Sequence, residues 1–218
     1  MIDKLHYISQ QPKNGSHLTA IRQALDAGCK WIQLRVKNQP DYVILEYAIE
    51  ANKICAGYDA KLIINDHPEI ALNAGAYGVH LGLQDMSVAE ARDIVGKKTI
   101  IGGTANTFEH IKQRIADGAD YIGLGPLRFT TTKQNLSPIL GLNGYEAIMA
   151  QMRSANLQIP IIAIGGILPE DVAAIMQTGI YGVAVSGTIT HATNRAQMVK
   201  HMYQELNSQC LNQVIQNM

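Results

Sequence analysis

The chain has no excess charge of either sign and few aromatic residues. Its 18 Lys and Arg residues balance 18 Asp and Glu residues, and its pI is near 7. Because neither sign dominates, the composition gives no support to a protein that binds nucleic acid or an anionic membrane. Aromatic residues make up only 6% of a chain that is 47% hydrophobic, which favours buried parallel strands over a β-sandwich.

Cysteines and long apolar runs are also scarce. The three cysteines, Cys29, Cys55 and Cys210, are odd in number and widely spaced, which argues against a disulfide framework and against a zinc site. We expect Cys29 and Cys55 to lie in the core. No apolar run approaches the roughly 18 residues of a membrane span, and residues 1–4 lead directly into a strand-like run without a signal peptide. The sequence therefore predicts a soluble, cytoplasmic protein.

Strand-like runs alternate with helix-length segments along the whole chain. Strands are predicted over residues 5–9, 31–35, 61–65, 78–81, 99–102, 121–124, 160–164 and 182–186, and helices over 16–27, 41–56, 68–74, 87–95, 107–117, 145–154, 169–177 and 192–207. This alternation is typical of an α/β protein with a single (β/α)8 TIM barrel. We expect one domain, residues 1–218, whose last residues, 208–218, form a disordered or helical tail. An open flavodoxin-like sheet is the main alternative, but eight strands favour closure.

Glycines and one long loop punctuate this pattern. Each even-numbered strand follows a glycine that suits a left-handed helix cap: Gly28, Gly75, Gly118 and Gly179. The longest irregular stretch is 127–143, a length that usually marks a binding loop or lid in a compact domain.

Polar residues cluster where the predicted strands end, which in such barrels is the active face. Gln33, Arg35 and Lys37 alternate on and just after the second strand, so they should point the same way. Placing two cations there is costly without an anionic partner. We interpret the pair as an anion site suited to a diphosphate; a structural ion pair or an exposed strand end is the alternative.

Carboxylates follow the next two strands. Asn65 and Asp66 end the third strand, and Asp85 lies just beyond the fourth. Two carboxylates with water and phosphate oxygens are a common arrangement for Mg²⁺, so these two aspartates are the candidate metal ligands. Asp66 could instead cap the following helix, and Asp85 could be a loop or cap residue.

The later loops suit phosphate groups. Thr130, Thr132 and Lys133 supply hydroxyls and an ammonium in the long loop. Gly166 follows strand seven, and Ser186 with Gly187 follows strand eight, where loops of these barrels often bind phosphate through backbone amides. A surface loop and ordinary tight turns are the alternatives. His80, on strand four, is more readily a hydrogen-bonded core residue than a catalytic base.

In order and spacing, these motifs resemble those of the thiamine phosphate synthase family, also called thiamine phosphate pyrophosphorylase. The resemblance extends to about residue 189. It is carried by QLRVK (33–37), LIINDH (62–67), GVHLGLQD (78–85), IIGGTANT (100–107), DYIGLGPLRFTTTK (120–133), IAIGGI (162–167) and GVAVSGTI (182–189). The family joins hydroxymethylpyrimidine diphosphate to hydroxyethylthiazole phosphate and releases pyrophosphate, by a dissociative, carbocation-like mechanism.

The resemblance implies a role for each candidate residue. Mg²⁺ would be held by Asp66 and Asp85, and Arg35, Lys37 and Lys133 would act in catalysis by neutralising the leaving diphosphate. The pyrimidine diphosphate would be bound by Gln33, Arg35, Lys37, Asn65, Thr104 and Lys133. The thiazole phosphate would be held by Thr130, Thr132, Gly166, Ser186 and Gly187. The implied partners are small molecules, neither nucleic acid nor membrane, and a homo-oligomer is compatible with the sequence.

Several positions depart from the family pattern, at Val36, Leu83, Gln84, Thr104, Arg128, Phe129 and Gly187. Arg128 brings a new positive charge near the anion site and could alter substrate preference. Three other functions are the alternatives: a related thiazole tautomerase, which relies on a histidine near Asn106; a non-catalytic barrel that binds thiazole phosphate; and a sugar-phosphate isomerase, which needs a paired acid and base. A requirement for Mg²⁺ would separate a synthase from the first two.

Overall fold

Eight short apolar runs form the strands of a closed parallel barrel. A computed structural model of the protein describes residues 1–130 and 137–216, with side chains through residue 208. The strands pair in chain order around the ring, and β1 closes on β8. Their bounds are β1 Leu5–Ile8, β2 Trp31–Leu34, β3 Lys61–Asn65, β4 Gly78–Leu81, β5 Ile100–Ala105, β6 Tyr121–Leu124, β7 Ile161–Ile164 and β8 Gly182–Val185. The predicted TIM barrel is confirmed, and the open sheet is wrong.

Helices cover the outside of the barrel. Their bounds are α1 His17–Asp26, α2 Asp41–Gly57, α3 Pro68–Asn73, α4 Val88–Val95, α5 Phe108–Ala116, α6 Gly141–Ser154, α7 Val172–Gln177, α8 Gly187–Thr190 and α9 Arg195–Gln216. A 3₁₀ turn, Pro169–Asp171, precedes α7. Ser16 and Ser87 begin α1 and α4 with capping boxes, each side chain accepting a hydrogen bond from the backbone of the third helical residue. In the described residues, none of these helices combines the length and apolarity needed to cross a bilayer.

The larger differences from the sequence prediction concern α6, β5, α8 and α9, whereas most other boundaries agree to within one residue. α6 begins at Gly141 rather than 145, because backbone hydrogen bonds from Leu140 and Gly141 to Pro126 and Leu127 fix its first turn despite the glycines. β5 continues through Ala105, past two glycines that weaken a strand signal. The one-turn helix α8 was not predicted, and α9 begins at 195 rather than 192.

The four predicted glycine caps are confirmed. Gly28, Gly75, Gly118 and Gly179 all have φ between +63° and +106°, a conformation that other residues rarely adopt. Cys29 and Cys55 are buried as expected. The side chain of Cys210 lies outside the described residues.

The lower part of the barrel interior is closed by packed side chains. Trp31, Ile63, Tyr121 and Ile162 belong to one buried cluster, separate from the larger core between strands and helices. His6 stacks on Trp31 with ring centroids 4.8 Å apart. Burial lowers the pKa of His6 to about 3, so its ring is neutral at physiological pH. Because this layer fills that end of the barrel, the described residues leave the interior open at the carboxyl ends of the strands.

Candidate active site at the barrel mouth

A cavity of about 740 Å³ opens at the carboxyl ends of the strands. It is lined by most of the residues that the sequence nominated, drawn from all parts of the chain. Those that line it are Gln33, Arg35, Lys37, Asn65, Asp66, Asp85, Thr104, Thr130, Gly166, Ser186 and Gly187. Thr132 and Lys133 lie outside the described residues.

The second strand directs its polar side chains into this cavity. Gln33 is buried, and its Nε2 donates to Asn65 Oδ1 at 3.0 Å, which joins the ends of β2 and β3. The backbone N–H of Arg35 donates to Ser9 Oγ at 3.0 Å, and Ser9 shares a further hydrogen bond of 2.9 Å with His17 Nδ1. Burial lowers the pKa of Arg35 from its usual value, although nearby Asp66 opposes the shift. The guanidinium nevertheless stays charged, because an arginine pKa starts far above neutrality.

Asp66 has a backbone conformation that favours glycine, with φ of +68°. Its N–H donates to the carbonyl of His80 at 2.9 Å, so the turn is held against β4. The alternative that Asp66 caps the next helix is wrong: the N-cap is His67, and no side chain makes a cap hydrogen bond there. The carboxylate instead forms an ion pair with Lys37. An unusual φ maintained at a cavity wall is typical of functional sites.

Asp66 and Asp85 are a pair of neighbouring carboxyl groups at the cavity wall. Partial desolvation and the adjoining Asp66 raise the pKa of Asp85. Burial alone would raise the pKa of Asp66, but the adjoining Asp85, the ion pair with Lys37 and the charge of Arg35 lower it. A divalent cation beside the two carboxyl groups would favour the ionised form of both.

This donor set fits Mg²⁺. The ion usually takes one or two carboxylates and completes its octahedron with water and substrate phosphate oxygens. In the described parts of the chain, no three or more His, Cys, Asp or Glu side chains lie together as a metal site, so water and substrate oxygens would complete the coordination of an ion held by the two aspartates. One Asp85 oxygen accepts a hydrogen bond from the N–H of Gly82 at 2.6 Å, so Asp85 also shapes its own loop.

A hydrogen-bonded histidine lies beneath the cavity. His80 Nδ1 is 3.1 Å from the hydroxyl of Tyr121, and its Nε2 is 3.1 Å from Thr104 Oγ1. Gly102 and Gly123 leave room for the ring, since a Cβ at Gly102 would lie 2.5 Å from His80 Nδ1 and one at Gly123 would lie 2.9 Å from His80 Cε1. His80 is thus buried and hydrogen-bonded, as the sequence interpretation favoured.

The turn after β7 is built on two left-handed glycines. Gly165 and Gly166 have φ of +97° and +72°. Thr188 Oγ1 donates to the carbonyl of Ile167 at 2.8 Å, which connects this turn to α8. Ser186 Oγ donates to Gln10 Oε1 at 3.3 Å at the start of α8. The turns that follow β7 and β8 therefore lie side by side, across the mouth from Asp66 and Asp85.

Arg128 does not contribute a free cation to the cavity, contrary to the sequence interpretation. Its two terminal nitrogens donate to the Asp171 carboxylate at 2.6 Å each, and one also donates to the carbonyl of Gly166 at 2.7 Å. Asp171 in turn accepts the N–H of Leu168 at 2.8 Å. The arginine charge is neutralised in a bidentate pair that fastens the β6 loop to the β7 turn.

Several residues at the mouth had no sequence signal. From outside the cavity, Ser9 accepts from the backbone N–H of Arg35 and Arg114 donates to the carbonyl of Thr104. Asn106 is buried, and its Nδ2 donates to the carbonyls of Gly125 and Pro138 at 2.8 Å each. Their partners are backbone groups distant in sequence, which no local pattern reveals.

Comparison with known proteins gives one consistent family. The model of the thiamine monophosphate synthase family matches residues 5–189. A thiamine-phosphate synthase of Bacteroides fragilis is 50% identical over 198 residues, covering 91% of this chain and 97% of that protein. One of Flavobacterium psychrophilum is 50% identical over 206 residues, covering 94% and 100%. The solved thiamine phosphate pyrophosphorylase of Pyrococcus furiosus superposes with a TM-score of 0.80 at 27% identity, covering 94% and 96%.

Proposed function

Because the chain belongs to the thiamine monophosphate synthase family and is a transferase of thiamine biosynthesis, we propose that its barrel mouth transfers hydroxymethylpyrimidine from its diphosphate to hydroxyethylthiazole phosphate. One observation carries the residue assignment. Two cations, a carboxyl pair and two glycine or serine turns line the same cavity, on opposite sides. That arrangement suits one substrate with a diphosphate and another with a single phosphate.

The cationic side of the mouth receives the diphosphate. Asp66 and Asp85 would hold Mg²⁺, which supplies a Lewis acid that neutralises phosphate oxygens when it is bound. Arg35 and Lys37 stand beside the carboxyl pair and would bind the remaining oxygens. Negative charge grows on the diphosphate as its C–O bond breaks, so these cations bind the transition state more strongly than the substrate.

No protein nucleophile is needed in this reaction. The C–O bond breaks first, the pyrimidine ring stabilises the resulting cation, and the thiazole nitrogen attacks it to form the new C–N bond. The chain contributes position and charge: each fixed charged contact to the departing group is worth about 3 kcal/mol in the transition state. Lys133 would add a third cation by family resemblance.

The hydrogen-bonded floor of the cavity suits the pyrimidine. Thr104 presents a hydroxyl whose orientation is set by His80, and the Gln33–Asn65 pair lies nearby on β2 and β3. Across the mouth, the backbone amides of Gly166 and Gly187, with the hydroxyls of Ser186 and Thr130, would hold the thiazole phosphate. By resemblance, Thr132 belongs to the same set.

The tautomerase alternative loses its support at Asn106. Both amide hydrogens of this residue are used to hold the Gly125 and Pro138 carbonyls, and the side chain is buried. It therefore acts as an anchor of the β6 loop rather than as an acid or base. A synthase also accounts for Arg35, Lys37 and the carboxyl pair, which would bind diphosphate and Mg²⁺. The proposal further places the enzyme in the cytoplasm with small-molecule substrates.

The direct test is formation of thiamine phosphate from the two substrates, followed by chromatography, with Mg²⁺ and with excess EDTA. We expect product only with Mg²⁺, together with an equal amount of pyrophosphate. Product that forms equally well in EDTA would refute the metal assignment. Binding of thiazole phosphate without any product would refute the synthase and favour a non-catalytic binding barrel.

A further inference from the structure

Arg114 is a buried cation behind the wall of the barrel. It lies on α5 and is only 7% exposed, whereas arginine is rarely buried unless it is paired with a carboxylate. No carboxylate in the described part of the chain lies within 4 Å of its guanidinium nitrogens to form a salt bridge. Asp117 and Asp85 act on it only through space, beyond salt-bridge distance. A buried charge without a hydrogen-bonded carboxylate is costly, so its retention calls for a reason.

Its hydrogen bonds go to the backbone of two residues at the cavity. Arg114 Nη2 donates to the carbonyl of Gly82 at 2.7 Å, and Nε donates to the carbonyl of Thr104 at 3.3 Å. Gly82 is the residue whose N–H donates to Asp85 at 2.6 Å. Thr104 is the residue whose hydroxyl meets His80. The Arg114 guanidinium thus holds the backbone of the loop that carries Asp85, a candidate metal ligand, and the backbone of Thr104, a candidate substrate contact.

A glycine on β5 makes room for this side chain. A Cβ at Gly103 would lie 2.8 Å from Arg114 Cδ, closer than Cβ atoms approach other heavy atoms in real structures, and 3.1 Å from Cγ, which is also a tight contact. Glycine weakens the interior of a strand and often marks the close approach of another group. The absence of a side chain at Gly103 therefore leaves the space that the aliphatic part of Arg114 occupies against β5.

We propose that Arg114 is a positioning residue that fixes the Gly82–Asp85 loop and Thr104 at the spacing required for Mg²⁺ and the pyrimidine diphosphate. The inference rests on the proposed function for the identity of those ligands. Arg114 does not line the cavity, so it would not touch either ligand; it acts through the backbone carbonyls of Gly82 and Thr104. Groups that orient metal ligands from behind commonly change metal affinity about 10- to 100-fold when they are removed.

Arg114→Met tests this directly, because methionine keeps much of the stem but has no donors or charge. We expect the variant to fold and its affinity for Mg²⁺ or Mn²⁺ alone, measured by calorimetry and by Mn²⁺ electron paramagnetic resonance, to fall about 10- to 100-fold. KM for the pyrimidine diphosphate should rise, while KM for thiazole phosphate stays unchanged because its site lies across the mouth. Arg114→Lys, which restores one donor, should recover part of the metal affinity.

Arg92→Met is the matched control. Arg92 also lies on an outer helix and donates to backbone carbonyls, those of Gly96 and Gly118 among them, but at the opposite end of the barrel. It differs from Arg114 in that it also pairs with the Asp120 carboxylate at 2.7 Å, so its loss removes a salt bridge as well as backbone contacts. Its loss should lower thermal stability without changing metal affinity. If Arg114→Met behaves like this control, Arg114 is merely structural and the inference is overturned. Should Arg114→Met fail to fold, Gly103→Ala, which displaces the arginine stem, decides the question by the same metal titration.

The proposed function and the positioning role of Arg114 can fail independently. A wild-type protein that forms no thiamine phosphate refutes the proposed function, but the metal titrations still compare Arg114 with Arg92. Wild-type turnover with unchanged metal affinity in Arg114→Met and Arg114→Lys refutes the positioning role alone.

Discussion

Replacing Asp85 with asparagine should separate the metal role of the carboxyl pair from its structural role. Asparagine keeps an oxygen that can accept the N–H of Gly82, so the loop bond of 2.6 Å can persist while the charge is lost. Two unit charges about 4 Å apart repel by about 4 kcal/mol at an effective dielectric of 20 and by about 1 kcal/mol in water. Asp85 is exposed, so the lower figure applies.

The stability of Asp85→Asn relative to the wild type should change sign between metal-free and Mg²⁺ conditions. In EDTA, Asp85→Asn should be as stable as the wild type or more stable by up to about 1 kcal/mol, which raises Tm by about 2–4 °C in a chain of this size. With Mg²⁺ at 100 times its Kd, the wild type should gain about 2.7 kcal/mol, or about 5–10 °C. The variant should gain much less, and its turnover should fall at least about 100-fold.

Differential scanning calorimetry in EDTA and in graded Mg²⁺ measures both signs in one experiment. Asp93→Asn, an exposed aspartate on the neighbouring helix α4, controls for the loss of one negative charge and should keep the full Mg²⁺ response. An Asp85→Asn protein that is stabilised by Mg²⁺ as strongly as the wild type, with full turnover, would refute the assignment of Asp85 as a metal ligand.

Three further substitutions test the other parts of the mouth. Lys37→Ala should cut turnover about 100- to 1000-fold while binding of thiazole phosphate is unchanged. The same substitution removes the ion pair with Asp66, so it should raise the pKa of Asp66, which NMR of the side-chain carboxyl carbons can measure. Arg128→Ala should weaken thiazole phosphate binding with little effect on Mg²⁺ affinity, because it releases the β7 turn, and equal loss of both would contradict this. Thr104→Val should raise KM for the pyrimidine diphosphate, whereas Thr104→Ser, which keeps the hydroxyl bonded to His80, should behave like the wild type in steady-state kinetics.

The barrel and most of the cavity lining could be predicted because they depend on local patterns. Gln33, Arg35 and Lys37 follow strand alternation, and the parallel barrel brings neighbouring strand ends together whatever the loops do. The carboxyl pair needs only that β3 and β4 be adjacent, which the chain order guarantees in such a barrel. Roles for these residues stay predictions until they are tested.

The features that sequence analysis missed depend on partners distant in the chain. Arg128 was interpreted as an added cation, because nothing near it in sequence announces that Asp171 neutralises it. The predicted fifth strand ends at Gly102, whereas β5 continues through Gly103 to Ala105, and glycine is a weak strand signal. In the barrel each glycine has a steric reason: one faces His80 and Tyr121 inside, and the other faces Arg114 outside.

This use of glycine explains how a small barrel holds a charged site. A polar side chain buried inside a barrel destabilises the fold unless it is hydrogen-bonded. A ring as large as that of His80 also fits only if the neighbouring strands have small residues beside it. Gly102 and Gly123 provide that volume for His80 within the barrel, while Gly103 lets Arg114 reach the backbone from behind. The cost is weaker strand propensity on β5, which the pairing of β5 with both β4 and β6 offsets. The polar floor and the metal loop are therefore set by the same strand, so that a side chain added at either glycine of β5 should disturb the site before it disturbs the fold.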